Sequence, residues 1–412
     1  MLFSLNAECV LELSRASKAE TVDGHKKDLS HIAGTFLIEA SASFLNGAGL
    51  GPGEDRNVSV VKAFKDGKYR IPYVSAQAWR RWLRNTLIEE TGWNPSVLKV
   101  LKRNKNGNPS KIGGEFNPVD FPEDDIFGYM RTEGEISSEE QKSISANESQ
   151  TQEEESSSSS GRTTQKPQTK TKTKTLSRTS PFLTSVLMSL RRDESRTKDK
   201  AYVHLQSGES LPYTTEFYKT NMQSIFCLNY KKLGRFSNLG DRVEIDESTA
   251  VQFITDKRLK VIEDKGDLGK VYEMTDAEVE RKKRASELIK SISVLRGGSK
   301  QAAFGSDVSP KVIILAGLTC GNPIFNGLFA DNAGDGIELK IETLKEIVED
   351  YKDRICSPIF IGIRSGYLKN ESTLRQITNN IDRKSKTSFV VTTPIDAANK
   401  MAKFVCSNSS ST

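Results

Sequence analysis

Apolar residues recur at helical spacing in one stretch and crowd together in a second, and a short polar loop joins the two. Leu288, Ile289, Ile292 and Leu295 fall on one face of a helix. Val312, Ile313, Ile314 and Leu315 form the kind of run that fills a strand buried on both faces. Between them, Gly297 and Gly298 stand where a helix end favours left-handed backbone. Gly298-Ser299-Lys300-Gln301 carries no bulky side chain before the lysine. Such a loop lets backbone N–H groups and one ammonium approach a phosphate closely. Its plainer reading is a helix stop.

The same patterning lays out the rest of the chain. Gly34 to Ala40 reads as the first strand and runs into a glycine-rich loop, Asn46-Gly47-Ala48-Gly49 and then Gly51-Pro52-Gly53. Val58 to Phe64 and Tyr69 to Val74 are strands joined by the turn Lys65-Asp66-Gly67-Lys68. Ser75 caps a helix whose buried face is Ala76, Trp79, Leu83 and Leu87. Gln77, Arg81 and Arg84 lie on the other side with Arg80 at the border, and no acid follows until Glu89. A capped helix start after a strand is an anion site in its own right; a solvated basic face is the ordinary alternative. Further on, Phe182 to Leu190 and Thr214 to Tyr230 are strands, and Gly240 to Lys270 reads as a charged connector. Thr275 and Glu278 form a capping box, and Arg281 to Arg284 reads as a solvated face of the helix it opens. Gly336 to Ile341 is a strand, Thr343 to Arg354 an amphipathic helix, and Pro358 to Arg364 the last strand. This alternation predicts an α+β fold, one antiparallel-rich sheet backed by helices.

Composition changes the picture in one place. The chain has 412 residues, of which 36% are hydrophobic, and its mean hydropathy is −0.50. That is low for a single packed globule. The block Thr132 to Arg178, Ser/Glu/Gln-rich and then Thr/Lys-rich, accounts for much of it and is expected to be disordered. A net charge of +6 suits a polyanion partner without requiring one. The five cysteines are scattered, so no zinc ribbon or redox pair is readable, and the usage fits a reducing cytoplasm. No apolar run reaches membrane-spanning length, and the N-terminus lacks the marks of a signal peptide.

Five stretches together resemble the DevR-type backbone subunit of the CRISPR type I Cascade complex, within the repeat-associated RAMP superfamily. They are Gly34 to Gly49, Arg70 to Leu83, Asp125 to Arg131 answered by Arg178 to Pro181, Glu216 to Phe236, and Val294 to Pro310. The resemblance implies an RRM-like, ferredoxin-like palm with finger and thumb insertions. Residues 1–30 would be a loose leader, 31–91 the first part of the palm, and 92–180 the finger with its disordered 132–178. Residues 181–190 would return a palm strand, 191–213 form the thumb, 214–370 complete the palm, and 371–412 trail as a C-terminal segment with a loose tail. It further implies copies lined up in a helical oligomer along a CRISPR guide RNA, other Cascade subunits as partners, and pairing of the guide with a target DNA strand. By the same resemblance Ser75, Arg80, Arg81 and Arg84, with Gly297, Gly298, Lys300 and Gln301, would face guide phosphates, and Asn46 and Arg56 are further candidates. No cofactor, metal, membrane or catalytic residue is expected. The competing class is a metal-dependent RNA nuclease of the type III kind, for which the first glycine loop offers Glu54 and Asp55. A stand-alone RNA-binding autoregulator is a third possibility.

Overall fold

A computed structural model describes residues 27–50, 58–97, 99–103, 109–114, 116–131, 175–191, 197–204, 208, 210–332, 336–381 and 388–408. The fold is mixed α+β around a large, mostly antiparallel sheet. Eight strands define its main path: β1 (His31–Ser43), β2 (Ala63–Asp66), β3 (Tyr69–Val74), β4 (Leu187–Ser189), β5 (Ser210–Asn229), β6 (Val312–Leu318), β7 (Ile359–Ile363) and β8 (Phe389–Thr392). Their order across the sheet is β8-β7-β6-β1-β5-β4-β3-β2. β1 lies between β5 and β6 and is antiparallel to both, with Phe36 opposite Ser224 on one side and Ile313 on the other.

The central strands are apolar on both sides because both faces are covered. Ile32, Phe36 and Ile38 of β1, with Ile313 and Leu315 of β6, meet three helices: α1 (Ala76–Thr91), α4 (Ala277–Ser293) and α7 (Pro394–Ser407). Phe36 packs edge-on against Trp79 of α1 at 5.4 Å. Ala33 and Leu37, with Val312, Ile314 and Ala316, turn the other way toward α5 (Ile341–Asp350), α6 (Glu371–Ile381) and the hairpin Phe329–Asn332/Gly336–Leu339.

Several expectations need correction. Pro358 to Arg364 does not hold the last strand: Phe389–Thr392 and a helix follow it in the C-terminal segment, whose expected loose tail falls on 409–412, outside the described residues. Thr393 caps α7, Pro394 opens it, and Ala397, Ala398, Met401 and Val405 are buried in the main core; β8 runs parallel to β7. Gly240 to Lys270 is not a bare connector. It supplies α3 (Glu247–Thr255) and a strand of a second small sheet, Arg235–Leu239, Gly269–Met274 and Leu259–Asp264, with its own core of Phe236, Ile245, Phe253 and Tyr272. The capping box does not form: Thr275 donates its hydroxyl to the Lys257 carbonyl at 2.7 Å, and Asp276 precedes the helix without a side-chain cap. The strand expected over Phe182 to Leu190 is broken in two at Ser185, whose hydroxyl accepts the Ile225 N–H at 3.0 Å. Of the block expected to be disordered, 132–174 lies outside the described residues, while Thr175–Arg178 is a strand paired with Tyr129–Arg131. Of the expected leader, 1–26 lies outside them as well, and Leu29 is buried. In the expected thumb, Thr197–His204 forms a hairpin with the start of β5.

The largest departure is electrostatic. Glu123, Asp124 and Asp125 are consecutive and buried in the short helix α2 (Pro122–Phe127). One Asp125 oxygen accepts from Arg178. The other accepts from Arg284 Nη1 at 2.6 Å and from the Gly234 N–H at 2.9 Å. Arg178 also reaches Glu244 at 3.1 Å and the carbonyls of Lys232 and Arg235, each at 3.0 Å, and its guanidinium lies 4.7 Å from the centroid of the Phe236 ring. Arg284 adds Glu280 at 3.1 Å and the Pro118 carbonyl at 2.9 Å. The Arg281–Arg284 run is therefore not a solvated face: Arg284 is buried, and Arg281 is held by the Leu233 carbonyl and Glu273.

Removing Asp125 leaves two buried guanidinium groups without their shared counter-charge, so Asp125→Ala should cost about 3–5 kcal/mol in urea denaturation. A loss below about 1 kcal/mol would show that the arginines do not depend on it. Asp124 behaves differently, because burial pushes its carboxyl up to about 6 from 3.8. The folded chain then binds that proton more tightly than the unfolded chain does. This contribution is full below about pH 4 and is lost as pH rises through about 6. Asp124→Asn should therefore flatten the fall in stability across that window, read as unfolding midpoints at pH values on either side. An unchanged pH profile would refute the assignment.

Candidate nucleic-acid interface

Three segments meet beside the end of β1. The first is the turn Phe44-Leu45-Asn46, where the chain leaves the central strand. The Asn46 side-chain oxygen accepts the Ser75 N–H at 3.2 Å, and its carbonyl accepts the Lys62 N–H at 2.9 Å. The second is the start of α1. Ser75 has extended backbone, and its hydroxyl accepts the Ala78 N–H at 3.4 Å. No acid stands in the first turn, so the positive end of the helix dipole is not offset there.

The third is the glycine loop, and its geometry is set by packing. α4 ends at Ser293 with Val294 as its cap, so the glycines do not terminate the helix as expected. They let the loop lie against α1: a Cβ on Gly297 would sit 2.2 Å from the Trp82 ring. One on Gly298, where φ is +113°, would sit 2.6 Å from Gln301 Nε2 and 3.1 Å from Leu45. The Ser299 N–H reaches the Leu45 carbonyl at 3.0 Å, which joins the loop to the first segment. Lys300 then adopts left-handed backbone at φ 52° and starts the single helical turn Gln301–Phe304. Its ammonium donates to Thr215 Oγ1 of β5 at 2.8 Å and lies 4.9 Å from the Phe44 ring centroid.

The structure thus brings Asn46, Ser75, Gly297, Gly298, Lys300 and Gln301 into one place. Gln301 serves the loop itself, donating to the Gly297 and Ser306 carbonyls and accepting the Ser306 N–H at 2.8 Å. Arg81 is exposed on α1 beside Trp82. The other two arginines turn inward. Arg80 gives its donors to the carbonyls of Phe182 at 2.6 Å and Phe127 at 2.8 Å and to Ser180 Oγ at 2.9 Å, and burial lowers its pKa. Arg84 grips Glu123 with two bonds, at 2.5 and 2.7 Å. The expectation that Arg80 and Arg84 share a groove with Lys300 is corrected accordingly: their donors are spent on anchoring α1. Arg56, Glu54 and Asp55 lie outside the described residues. The residues that sequence reasoning missed are Phe44, Trp82 and Thr215, which hold the loop and its lysine. Only the alternation of polar and apolar residues along β5 hinted that Thr215 faces one particular side.

Chemically the site offers cations and peptide N–H groups around a fixed loop, which suits phosphate oxygens. Among the described residues, no group of three or more His, Cys, Asp or Glu side chains is placed to hold a metal ion, and no helix is long and apolar enough to cross a membrane.

No family model matches the chain, and no curated protein matches it in sequence. Among solved structures, it is similar to a chain of a "CRISPR RNA-guided surveillance complex" at 11% identity, with a TM-score of 0.45 over 91% of this chain and 99% of that one. A chain of a "CRISPR RNA-guided surveillance complex, pre-nicking" gives 11% identity and a TM-score of 0.46, over 91% of this chain and 100% of that one. A chain of a "Type III-B Cmr-beta bound to cognate target RNA" gives 10% identity and a TM-score of 0.25, over 50% of this chain and 49% of that one.

Proposed function

We propose that this chain is a non-catalytic, RNA-binding backbone subunit of a CRISPR complex of the Cascade kind. Several copies line up along one guide RNA, hold its phosphates and leave its bases free to pair with a DNA target. Two things support the reading: the five stretches that resemble the DevR-type subunit, and a site built for phosphate rather than for base edges. The observation that carries it is Lys300, held in left-handed backbone on a loop pressed against Trp82 and hydrogen-bonded to Leu45, beside the uncompensated start of α1. A subunit that must accept any guide gains nothing from reading bases, and delegates sequence to pairing.

Guide RNA affinity measured against salt tests this directly. Lys300→Ala and Arg81→Ala should each weaken binding and make the salt dependence shallower by about one unit, as loss of a phosphate contact does. Arg84→Ala should lower the melting temperature and leave the slope unchanged, since its partner is Glu123. Steeper or unaltered slopes for both Lys300 and Arg81 would sink the reading. Gly297→Ala, which forces a methyl group into Trp82, should impair both folding and binding; full affinity would show that the loop shape is immaterial.

A further inference from the structure

We propose that the open edge of β8 is taken by the chain's own N-terminal stretch, Phe3 to Leu13, part of which pairs in cis and adds one strand to the main sheet. The pairing needs no RNA and stands apart from the function proposed above.

β8 is where the sheet stops. β7 pairs with its inner side, and among the described residues no strand pairs with its outer side. All seven residues of β6 and all five of β7 are buried, whereas Val390, Val391 and Thr392 of β8 are only half-buried. Val390 packs against the core on the α7 side and Val391 against the core on the α5 and α6 side. Neither layer therefore finishes covering this strand. An open row of backbone N–H and C=O groups, flanked by half-covered apolar side chains, is a template for one more strand.

Position and pattern say what fills it. Residues 27–30 approach the sheet from this side. Ser30 donates its N–H to the Leu318 carbonyl, at the end of β6, at 2.9 Å. Leu29 lies with Cys356 and with Phe404 of α7 around Gly317. The Lys27 ammonium reaches the Lys352 carbonyl at 2.9 Å, shortly before β7 begins. Traced backward from β1, the chain thus passes β6 toward β7, and β8 is the next strand out. The thirteen residues 14–26 can span about 45 Å, against about 10 Å for two strand spacings. Within the stretch, Phe3, Leu5, Ala7, Cys9, Leu11 and Leu13 place an apolar residue at every second position. Of Ser4, Asn6, Glu8, Val10 and Glu12 between them, only Val10 is apolar. A period of two belongs to a strand with one covered and one wet face. It suits the margin of this sheet, where the helical layers run out, and differs from β6 and β7, which are covered on both faces.

Hydrogen exchange read by mass spectrometry, on the full chain without RNA, tests the pairing. Residues 2–13 and 389–392 should both exchange slowly. Leu5→Lys with Leu11→Lys puts charge on the apolar side. It should speed exchange in both segments by about tenfold or more and leave 312–318 unchanged. Ser4→Lys with Asn6→Lys, on the wet side, should leave both segments slow. Both pairs of substitutions lie outside the packed cores, so the fold itself is not at stake in the comparison. Fast exchange of 2–13 in the wild type overturns the proposal, and so does exchange of 389–392 that the Leu5 and Leu11 pair leaves unaltered. Loss of protection at 259–264 instead would seat the stretch on the small sheet and overturns it as well. Protection that falls on dilution would put the strand in a neighbouring copy, against pairing in cis. Lys300→Ala should change none of these rates, which keeps this test separate from that of the phosphate site.

Discussion

A single buried carboxylate holds distant parts of this chain in register. Asp125 takes Arg178 and Arg284, which lie 53 and 159 residues away in sequence. Burying three charges is expensive, and the cost is met only because every donor finds an acceptor. Carbonyls of Pro118, Lys232 and Arg235 complete the shells of the two arginines. The neighbouring residue in the same helical turn, Glu123, holds Arg84 of α1. One turn of helix thereby fixes α1 and α4 against each other, and the second small sheet against both.

That arrangement determines what happens at the far ends of the two helices. α1 begins at the candidate site with Ser75, and α4 leads into the glycine loop that lies on Trp82 of α1. A left-handed lysine costs about 1 kcal/mol or more relative to ordinary backbone, so it persists where its surroundings leave no alternative. Here those surroundings are the Trp82 ring, the Leu45 carbonyl and the Thr215 hydroxyl, all mounted on packed elements. The ammonium and the adjoining N–H groups are therefore placed before any ligand arrives, which lowers the ordering cost of binding.

Elements whose burial follows from local periodicity were legible in the sequence. The Tyr69–Val74 strand, its tight turn and the Ser75 cap read directly, because each depends on residues within a few positions. The central strand and Val312–Leu318 read as apolar runs, since a strand covered on both faces does not alternate. What escaped depends on distant partners. α7 has a regular apolar stripe, but the residues after it, Asn408 to Thr412, are polar enough to suggest a tail. The second small sheet mixes exposed charges with a modest core, so its composition resembles that of a linker. The glycine pair stands out in the sequence, but its packing does not: Gly297 answers to an indole on another helix, and Gly298 to Leu45 and Gln301, rather than to the end of their own helix.

The arginines show why a row of cations is a poor guide to a binding surface by itself. Arg80, Arg81 and Arg84 follow the same helix in close succession, and the resemblance names all three as phosphate contacts. The structure gives Arg80 to backbone carbonyls, Arg84 to a carboxylate, and leaves Arg81 exposed. Guanidinium groups with a rigid fork suit internal anchoring as well as phosphate recognition. What separates the two uses is whether acids and carbonyls elsewhere in the chain consume the donors. The acidic run Glu123 to Asp125 is matched by Arg84, Arg178 and Arg284, and these charges cancel inside the fold. Arg81 and Lys300, by contrast, are exposed to solvent. It is this residue of charge after internal pairing, rather than the net +6 of the whole chain, that points to where a polyanion would run.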